Sequence, residues 1–121
     1  MAKCVLVVDD SPLVRDVQVL LLQEAGYVAV ALSGAREALE RLAELRPDLI
    51  VLDMSMPGMD GHQFLRRLRA DGAWGALPVI VASGLDADVI GSSAARDCDV
   101  LAKPFSEVAL LSSVRRLIGE A

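Results

Sequence analysis

Short apolar runs alternate along the chain with longer segments whose apolar residues recur at helical spacing. The runs at Cys4–Val8, Asp48–Asp53 and Leu77–Ser83 are almost continuously apolar. Strands of this kind are typical of parallel sheets whose two faces are both covered by helices. Alternation of such strands with amphipathic helices is typical of βαβ units. The pattern therefore predicts an α/β fold.

Helix start and stop signals lie between the apolar runs. Ser11 fits an N-cap, Pro12 the first helical position and Gly26 a helix stop. The predicted strands are Cys4–Val8, Tyr27–Leu32, Asp48–Asp53, Leu77–Ser83 and Val100–Ala102. The predicted helices are Pro12–Ala25, a helix that starts after Gly34 and ends before Pro47, Gly61–Ala70, and a last helix that Ser106 caps. Residues 84–99 predict only a short or irregular helix, because a Gly-Ser-Ser stretch lies in the middle.

Five strands with intervening helices predict an open three-layer α/β/α sandwich. In such sheets, ligands bind at the carboxyl ends of the strands. The residues at or just past these ends are polar, and each follows an apolar run: Asp9, Asp10, Asp53, Ser83 and Lys103. We therefore expect them to form one site at that edge of the sheet.

The chemistry of this predicted site points to a metal ion and a phosphate. Three carboxylates that converge repel one another and require positive charge nearby. Lys103 supplies one charge, and carboxylate and water ligands suit Mg²⁺ as the source of the rest. A hydroxyl and an ammonium beside a metal with open positions can contact phosphoryl oxygens. Asp53 lies where its carboxylate can act as a nucleophile and form an acyl-phosphate.

The motifs that carry these residues resemble a known family. VVDDSP, DLIVLDMSMPGMDG, VIVAS and AKPF, in this order, resemble the receiver domain of two-component response regulators. The resemblance covers nearly the whole chain, so residues 1–121 are expected to be a single receiver domain. This domain is either stand-alone or cut from a longer protein, and the compact ends favour the former. It implies a flavodoxin-like (βα)5 fold, doubly wound, with a five-stranded parallel sheet in the order 2-1-3-4-5.

The resemblance also implies roles for the site residues. Asp53 would be the phosphoacceptor, and Ser83 and Lys103 would contact the phosphoryl group. The implied Mg²⁺ ligands are Asp9, Asp10, Asp53 and the main-chain carbonyl of Ser55. The phosphodonor would be a sensor histidine kinase or a phosphotransfer protein, and the phosphorylated domain would act on a downstream effector protein or form a dimer. The domain would catalyse only its own phosphorylation and dephosphorylation.

One position departs from the family pattern. Three residues before Lys103 the family usually has Tyr or Phe, whose ring turns inward on activation, and this chain has Val100. A β-branched side chain is stiff and has no ring to move. An output route through an aromatic switch is therefore not expected.

Charge and composition exclude several function classes. The net charge of -5 argues against a nucleic-acid-binding surface, which needs clustered Lys and Arg. No apolar run approaches the ~20 residues of a membrane span, and the N-terminus does not fit a signal peptide, so we expect a cytoplasmic protein. Neither a GxGxxG nor a GxxxxGK[ST] motif occurs, which excludes a dinucleotide or P-loop site.

Two other functions remain as alternatives on the sequence alone. A Mg²⁺-dependent phosphohydrolase would need a second acid/base carboxylate near the nucleophile, where Ser55 lies, and a substrate cap. A degenerate receiver that only binds partners would normally have lost an acid or the lysine, and all of these are present. Trp74 could anchor a partner or cover a helix end, and the sequence does not distinguish the two.

Overall fold

Strands and helices occupy most of the chain that the computed structural model describes, which is residues 2–53, 61–83, 98–102 and 106–120. The strands in these ranges are β1 (Cys4–Val8), β2 (Val28–Leu32), β3 (Leu49–Asp53), β4 (Val79–Ser83) and β5 (Cys98–Ala102). The helices in these ranges are α1 (Pro12–Glu24), α2 (Ala35–Leu45), α3 (Gly61–Ala70) and α4 (Glu107–Ile118).

The five strands form one parallel sheet in the order β2-β1-β3-β4-β5. This order confirms the predicted flavodoxin-like topology. β5 begins at Cys98 rather than at the predicted Val100, because residues 98–102 pair with β4 along its whole length. The irregular helix predicted before β5 falls mostly in residues 84–97, which lie outside the described residues.

Two hydrophobic cores lie on opposite faces of the sheet. Successive side chains of a strand point to opposite faces. On β1, Leu6 and Val8 pack with α2 and α3, whereas Val5 and Val7 pack with α1 and α4. β3 alternates in the same way, with Ile50 and Leu52 in the first core and Leu49 and Val51 in the second. The three-layer sandwich is therefore confirmed, and β1 and β3 are buried on both faces.

Two predicted helix caps are confirmed. The Ser11 hydroxyl accepts a hydrogen bond from the Val14 N–H at 3.4 Å, and α1 starts at Pro12. The Ser106 hydroxyl accepts one from the Ala109 N–H at 3.1 Å and caps α4. Each cap satisfies one of the N–H groups that a helix start leaves without an intrahelical partner. Among the described helices, none has the length and apolar character that a membrane span requires.

The end of α1 explains why β2 starts later than predicted. Gly26 adopts a positive φ of 97°, a conformation that glycine adopts without steric cost. The Tyr27 N–H then donates to the Leu22 carbonyl at 3.0 Å and closes the helix. Tyr27 therefore belongs to the turn, and β2 starts at Val28.

Trp74 covers the end of a core. Its side chain is half-buried and packs against the core on the α2 and α3 face. The loop around it is fixed by Arg69, whose guanidinium donates to the carbonyls of Gly75 and Leu77 at 3.1 and 2.8 Å. The Asp71 carboxylate also accepts a hydrogen bond from the Trp74 N–H at 3.2 Å. The structure thus favours the covering role over an exposed anchor for a partner.

The amino-terminal side of the sheet holds the end of α4. The Tyr27 side chain is buried, and its hydroxyl donates to the Gly119 carbonyl at 2.6 Å. The Lys3 ammonium donates to the neighbouring Ile118 carbonyl. The last carbonyls of a helix have no intrahelical partner, so these two donors satisfy groups that would otherwise depend on water. They join the residues just before β1 and β2 to the end of α4.

Tyr27→Phe is expected to lower the free energy of unfolding by about 1 kcal/mol at pH 7, because it removes a buried hydrogen bond. Burial, and to a lesser degree Glu120, raise the pKa of Tyr27 above its ordinary value of 10.0, while Arg115 opposes them. The unfolded chain therefore ionises first, and the wild type loses stability as the pH rises through the pKa of the folded state. Phenylalanine has no such loss, so the difference between the two proteins should shrink above pH 10. Denaturant titrations at pH 7 and above pH 10 measure the difference in the free energy of unfolding between the two proteins. A difference that does not change with pH would contradict this prediction.

Candidate functional site

Asp9 and Asp53 lie side by side because β1 pairs with β3. Val8 is the register partner of Leu52 in this parallel pair. The next residue on each chain is an aspartate, since Asp9 directly follows β1 and Asp53 ends β3. The carboxyl ends of neighbouring parallel strands share one edge of the sheet, which is the edge where ligands bind in open α/β sheets.

Three carboxylates meet at this edge, and we call Asp9, Asp10 and Asp53 the acid cluster. One oxygen from each lies within 4.8 Å of the others. Asp9 and Asp53 are only 2% and 6% exposed, whereas Asp10 is exposed. Two like charges about 4 Å apart repel by about 1 kcal/mol in water and by about 4 kcal/mol near a protein surface. The cluster therefore favours the binding of positive charge.

The turn between β1 and α1 holds Asp9 through main chain and side chain. The Asp9 N–H donates to the Leu32 carbonyl at 3.2 Å, which continues the β1–β2 pairing. The Asp9 carboxylate accepts the Ser11 N–H at 2.9 Å. The Asp9 carbonyl accepts a hydrogen bond from the Arg15 guanidinium at 2.9 Å. The backbone that presents two of the three acids is thus well anchored.

The chemistry of the acid cluster fits a hard divalent cation. All three donors are carboxylates, which Mg²⁺ and Ca²⁺ prefer, whereas softer metals favour cysteine and histidine. Two of the carboxylates are buried and held on strand ends, and the third is exposed at the mouth. Asp9, Asp10 and Asp53 would hold such a cation, and its charge would offset the repulsion among the acids.

The other predicted site residues are described only in part. Ser83 ends β4, one residue beyond the Asp53–Ala82 register pair, so its backbone lies at the same edge of the sheet. Its side chain is not among those that the structure describes. Ser55 and Lys103 lie outside the described residues. Val100 lies in the middle of β5 and pairs with Val81.

The sequence matches the profile of the response regulator receiver domain over residues 5–115. The chain belongs to this family. Response regulator MprA of Mycolicibacterium vanbaalenii is 39% identical over 117 residues, which are 94% of this chain and 49% of the relative. Two-component response regulator PhoP of Pseudomonas aeruginosa is 36% identical over 118 residues, which are 94% of this chain and 52% of the relative. This receiver domain therefore spans about half the length of the curated relatives that it matches.

Solved receiver structures have the same fold. The chemotaxis protein CheY4 of Vibrio cholerae superimposes with a TM-score of 0.88 and 29% identity, over 98% of this chain and 100% of that one. The receiver domain of a sensor histidine kinase from Pseudomonas aeruginosa, described with a magnesium ion in its active-site cleft, superimposes with a TM-score of 0.87 and 28% identity, over 99% of this chain and 100% of that one.

Membership in this family decides between the function classes. The chain is a phosphorylation-activated receiver domain of the two-component type, which is a signalling module and not a metabolic enzyme. This excludes the phosphohydrolase alternative, and it favours a phosphorylated receiver over one that only binds partners.

Sequence reasoning missed Arg15 at this site. Its contact with the Asp9 carbonyl brings a guanidinium to the turn that carries Asp9 and Asp10. The position of Arg15 could have indicated this contact. Arg15 lies one helical turn after the N-cap Ser11, and side chains of a helix tilt toward its N-terminus.

Asp10→Asn is expected to stabilise the metal-free protein, because it removes one of three converging negative charges. The gain should be about 2 kcal/mol, because Asp10 takes part in two such pairs and each is worth about 1 kcal/mol in water. Thermal unfolding in EDTA measures it, with Asp16→Asn on the exposed side of α1 as a control of equal charge change. Mg²⁺ should then raise the melting temperature of the wild type more than that of Asp10→Asn, because it binds only the folded site.

Two results would contradict the prediction that repulsion within the acid cluster destabilises the metal-free protein. In the first, Asp10→Asn melts at or below the wild-type temperature in EDTA. In the second, Asp16→Asn gains as much as Asp10→Asn, which would indicate a general effect of net charge.

Proposed function

We propose that this receiver domain accepts a phosphoryl group on the carboxylate of Asp53, with Mg²⁺ held by the acid cluster. The convergence of three carboxylates within 4.8 Å at the carboxyl edge of the sheet carries this proposal. The donor is a phosphohistidine of a sensor kinase or phosphotransfer protein, and residues 1–121 act as one domain. The exchange takes place in the cytoplasm.

Asp53 is the member of the acid cluster best suited to be the nucleophile. It ends β3, which lies between β1 and β4, so the acids that follow β1 and the serine that ends β4 flank it. The Asp9 carboxylate also holds the turn, because one of its oxygens accepts the Ser11 N–H, whereas Asp53 ends a strand. Asp10 is exposed at the mouth of the site. A buried carboxylate on a rigid strand end keeps its direction, which favours attack at a defined angle.

The proposed metal ligands are the acid cluster and one main-chain group that the family resemblance adds. Asp9, Asp10 and Asp53 would hold Mg²⁺, together with the main-chain carbonyl of Ser55. When bound, Mg²⁺ supplies positive charge that offsets the carboxylates and the phosphoryl oxygens, so that an anionic phosphoryl group can approach an anionic nucleophile.

The transfer itself is a displacement at phosphorus. A carboxylate oxygen of Asp53 forms a bond to phosphorus, and the bond from phosphorus to the donor imidazole breaks. The imidazole nitrogen leaves with the electron pair, and the product on this chain is an acyl-phosphate. Ser83 donates its hydroxyl hydrogen to a phosphoryl oxygen, and Lys103 pairs with the phosphoryl charge. Phosphoryl transfer depends mainly on positioning and on charge neutralisation, and these residues provide both.

The phosphorylated domain acts by a shift between two conformations that a downstream effector protein distinguishes. Phosphorylation can also favour a dimer by the same shift. Val100 has no ring to turn inward, so the output does not use an aromatic side chain at that position.

The experiment is intact-mass spectrometry after incubation with acetyl phosphate. Wild-type protein in Mg²⁺ should gain one phosphoryl group, and the gain should be absent in EDTA and in Asp53→Asn. Asp16→Asn, which changes the charge on the exposed side of α1, should be phosphorylated like the wild type. An adduct that persists in Asp53→Asn would place the acceptor elsewhere.

A wild type that gains no mass would also contradict the proposal, provided that rapid hydrolysis is excluded. Beryllofluoride serves this purpose, because it forms a phosphoryl-like complex that does not depend on a covalent product. Its failure to bind together with Mg²⁺ would leave a receiver that only binds partners.

A further inference from the structure

Arg15 connects α1 to the turn that presents two acids of the cluster. It lies one helical turn after the N-cap, and its N–H donates to the Ser11 carbonyl at 3.0 Å. The half-buried side chain runs back toward the helix start, and its guanidinium donates to the Asp9 carbonyl at 2.9 Å. A hydrogen bond from a charged donor is roughly twice as strong as one between neutral groups.

The bonded carbonyl belongs to the peptide that joins Asp9 to Asp10. The Asp9 N–H is held by the Leu32 carbonyl, and the Asp9 carboxylate is held by the Ser11 N–H. Arg15 adds a contact on the carboxyl side of Asp9. Because this peptide sets the direction of the chain into Asp10, the contact orients both acids relative to Asp53 before any cation binds.

The guanidinium also provides charge without using a ligand atom. Arginine stays protonated at any physiological pH. Its bond at this site is to a carbonyl and not to a carboxylate, so the guanidinium brings positive charge to the turn without taking a carboxylate oxygen. An ion pair with Asp9 or Asp10 would instead compete directly with a cation.

We propose that Arg15 is a positioning residue for the cation site, which fixes the Asp9–Asp10 peptide in the metal-free protein. This inference rests on the proposed Mg²⁺ site at the acid cluster. It assigns to Arg15 no contact with the cation or with the phosphoryl group. Residues that hold metal ligands in this indirect way typically change metal affinity by ~10–100-fold when they are removed.

The test compares Arg15→Met with Arg67→Met, using Mg²⁺ alone as the ligand. Methionine keeps an apolar stem in place of the arginine stem. Arg67 is exposed in the last turn of α3, so its replacement changes the net charge equally, away from the strand ends. Calorimetric titration should show a dissociation constant about tenfold higher in Arg15→Met. Arg67→Met should keep the wild-type value.

A second measurement needs no metal. The Ser11 amide donates to the Asp9 carboxylate, so its hydrogen exchange in EDTA reports the order of the turn. We expect markedly faster exchange of this amide in Arg15→Met and no change in Arg67→Met. Unchanged exchange together with unchanged Mg²⁺ affinity would overturn the positioning role.

Arg15→Lys distinguishes the positioning effect of the guanidinium from the effect of its charge. It also replaces Arg15→Met in these measurements if Arg15→Met does not fold. Lysine keeps the charge but replaces the planar guanidinium by a point charge on a flexible stem. We expect only partial recovery of Mg²⁺ affinity and of Ser11 protection. Full recovery of the affinity while the Ser11 amide still exchanges rapidly would mean that charge alone acts, and it would overturn the inference.

The outcomes also separate this inference from the proposed function. If wild-type protein binds no Mg²⁺, the cation site fails, and the positioning role fails with it. If wild-type protein binds Mg²⁺ and Arg15→Met binds it equally well, the cation site stands and only the role of Arg15 is overturned.

Discussion

The parallel pairing of β1 with β3 is the constraint on which the site depends. The register that joins Val8 to Leu52 makes the next residues, Asp9 and Asp53, neighbours at the edge of the sheet. A shift of either strand by one residue would reverse every side chain between the two faces. The two cores fix this register, because the residues of β1 and β3 are buried on both faces. Burial of apolar side chains thus determines the separation of two negative charges.

The repulsion within the acid cluster is useful because it is tied to a rigid frame. Carboxylates on a mobile loop would move apart, whereas Asp9 and Asp53 are anchored by strands, and the turn that carries Asp9 is anchored by the Ser11 N–H and the Arg15 guanidinium. The site therefore remains poised for a cation and for the charge of a phosphoryl group. The repulsion among the acids lowers the stability of the metal-free protein and favours the binding of a cation. Such a trade-off is common at functional sites.

Much of the fold could be predicted from local patterns. Apolar runs gave the strands to within one or two residues at most ends, and Ser11, Pro12 and Ser106 marked helix starts that the structure confirms. Tyr27 was wrongly included in β2, because the hydrogen bond that closes α1 depends on the conformation of Gly26 and not on hydrophobicity. The start of β5 was also missed, since its first residues are recognisable only through pairing with β4.

The acid cluster could be predicted because its members follow strands whose ends must share an edge. The spacing of Arg15 from Ser11 could place its side chain near this turn, but not its hydrogen bond, which depends on the direction of that side chain toward a main-chain carbonyl. The covering role of Trp74 likewise required packing information. The contributions of Ser55, Ser83 and Lys103 stay predictions from the family resemblance.

We expect the acid cluster to bind Mg²⁺ beside a phosphoryl group on Asp53, and a crystal structure of the protein with Mg²⁺ and beryllofluoride would show both at once. Beryllofluoride should be joined to a carboxylate oxygen of Asp53, and Mg²⁺ should lie beside it and contact the acid cluster. Beryllofluoride on another residue, or Mg²⁺ away from Asp9 and Asp10, would contradict this expectation.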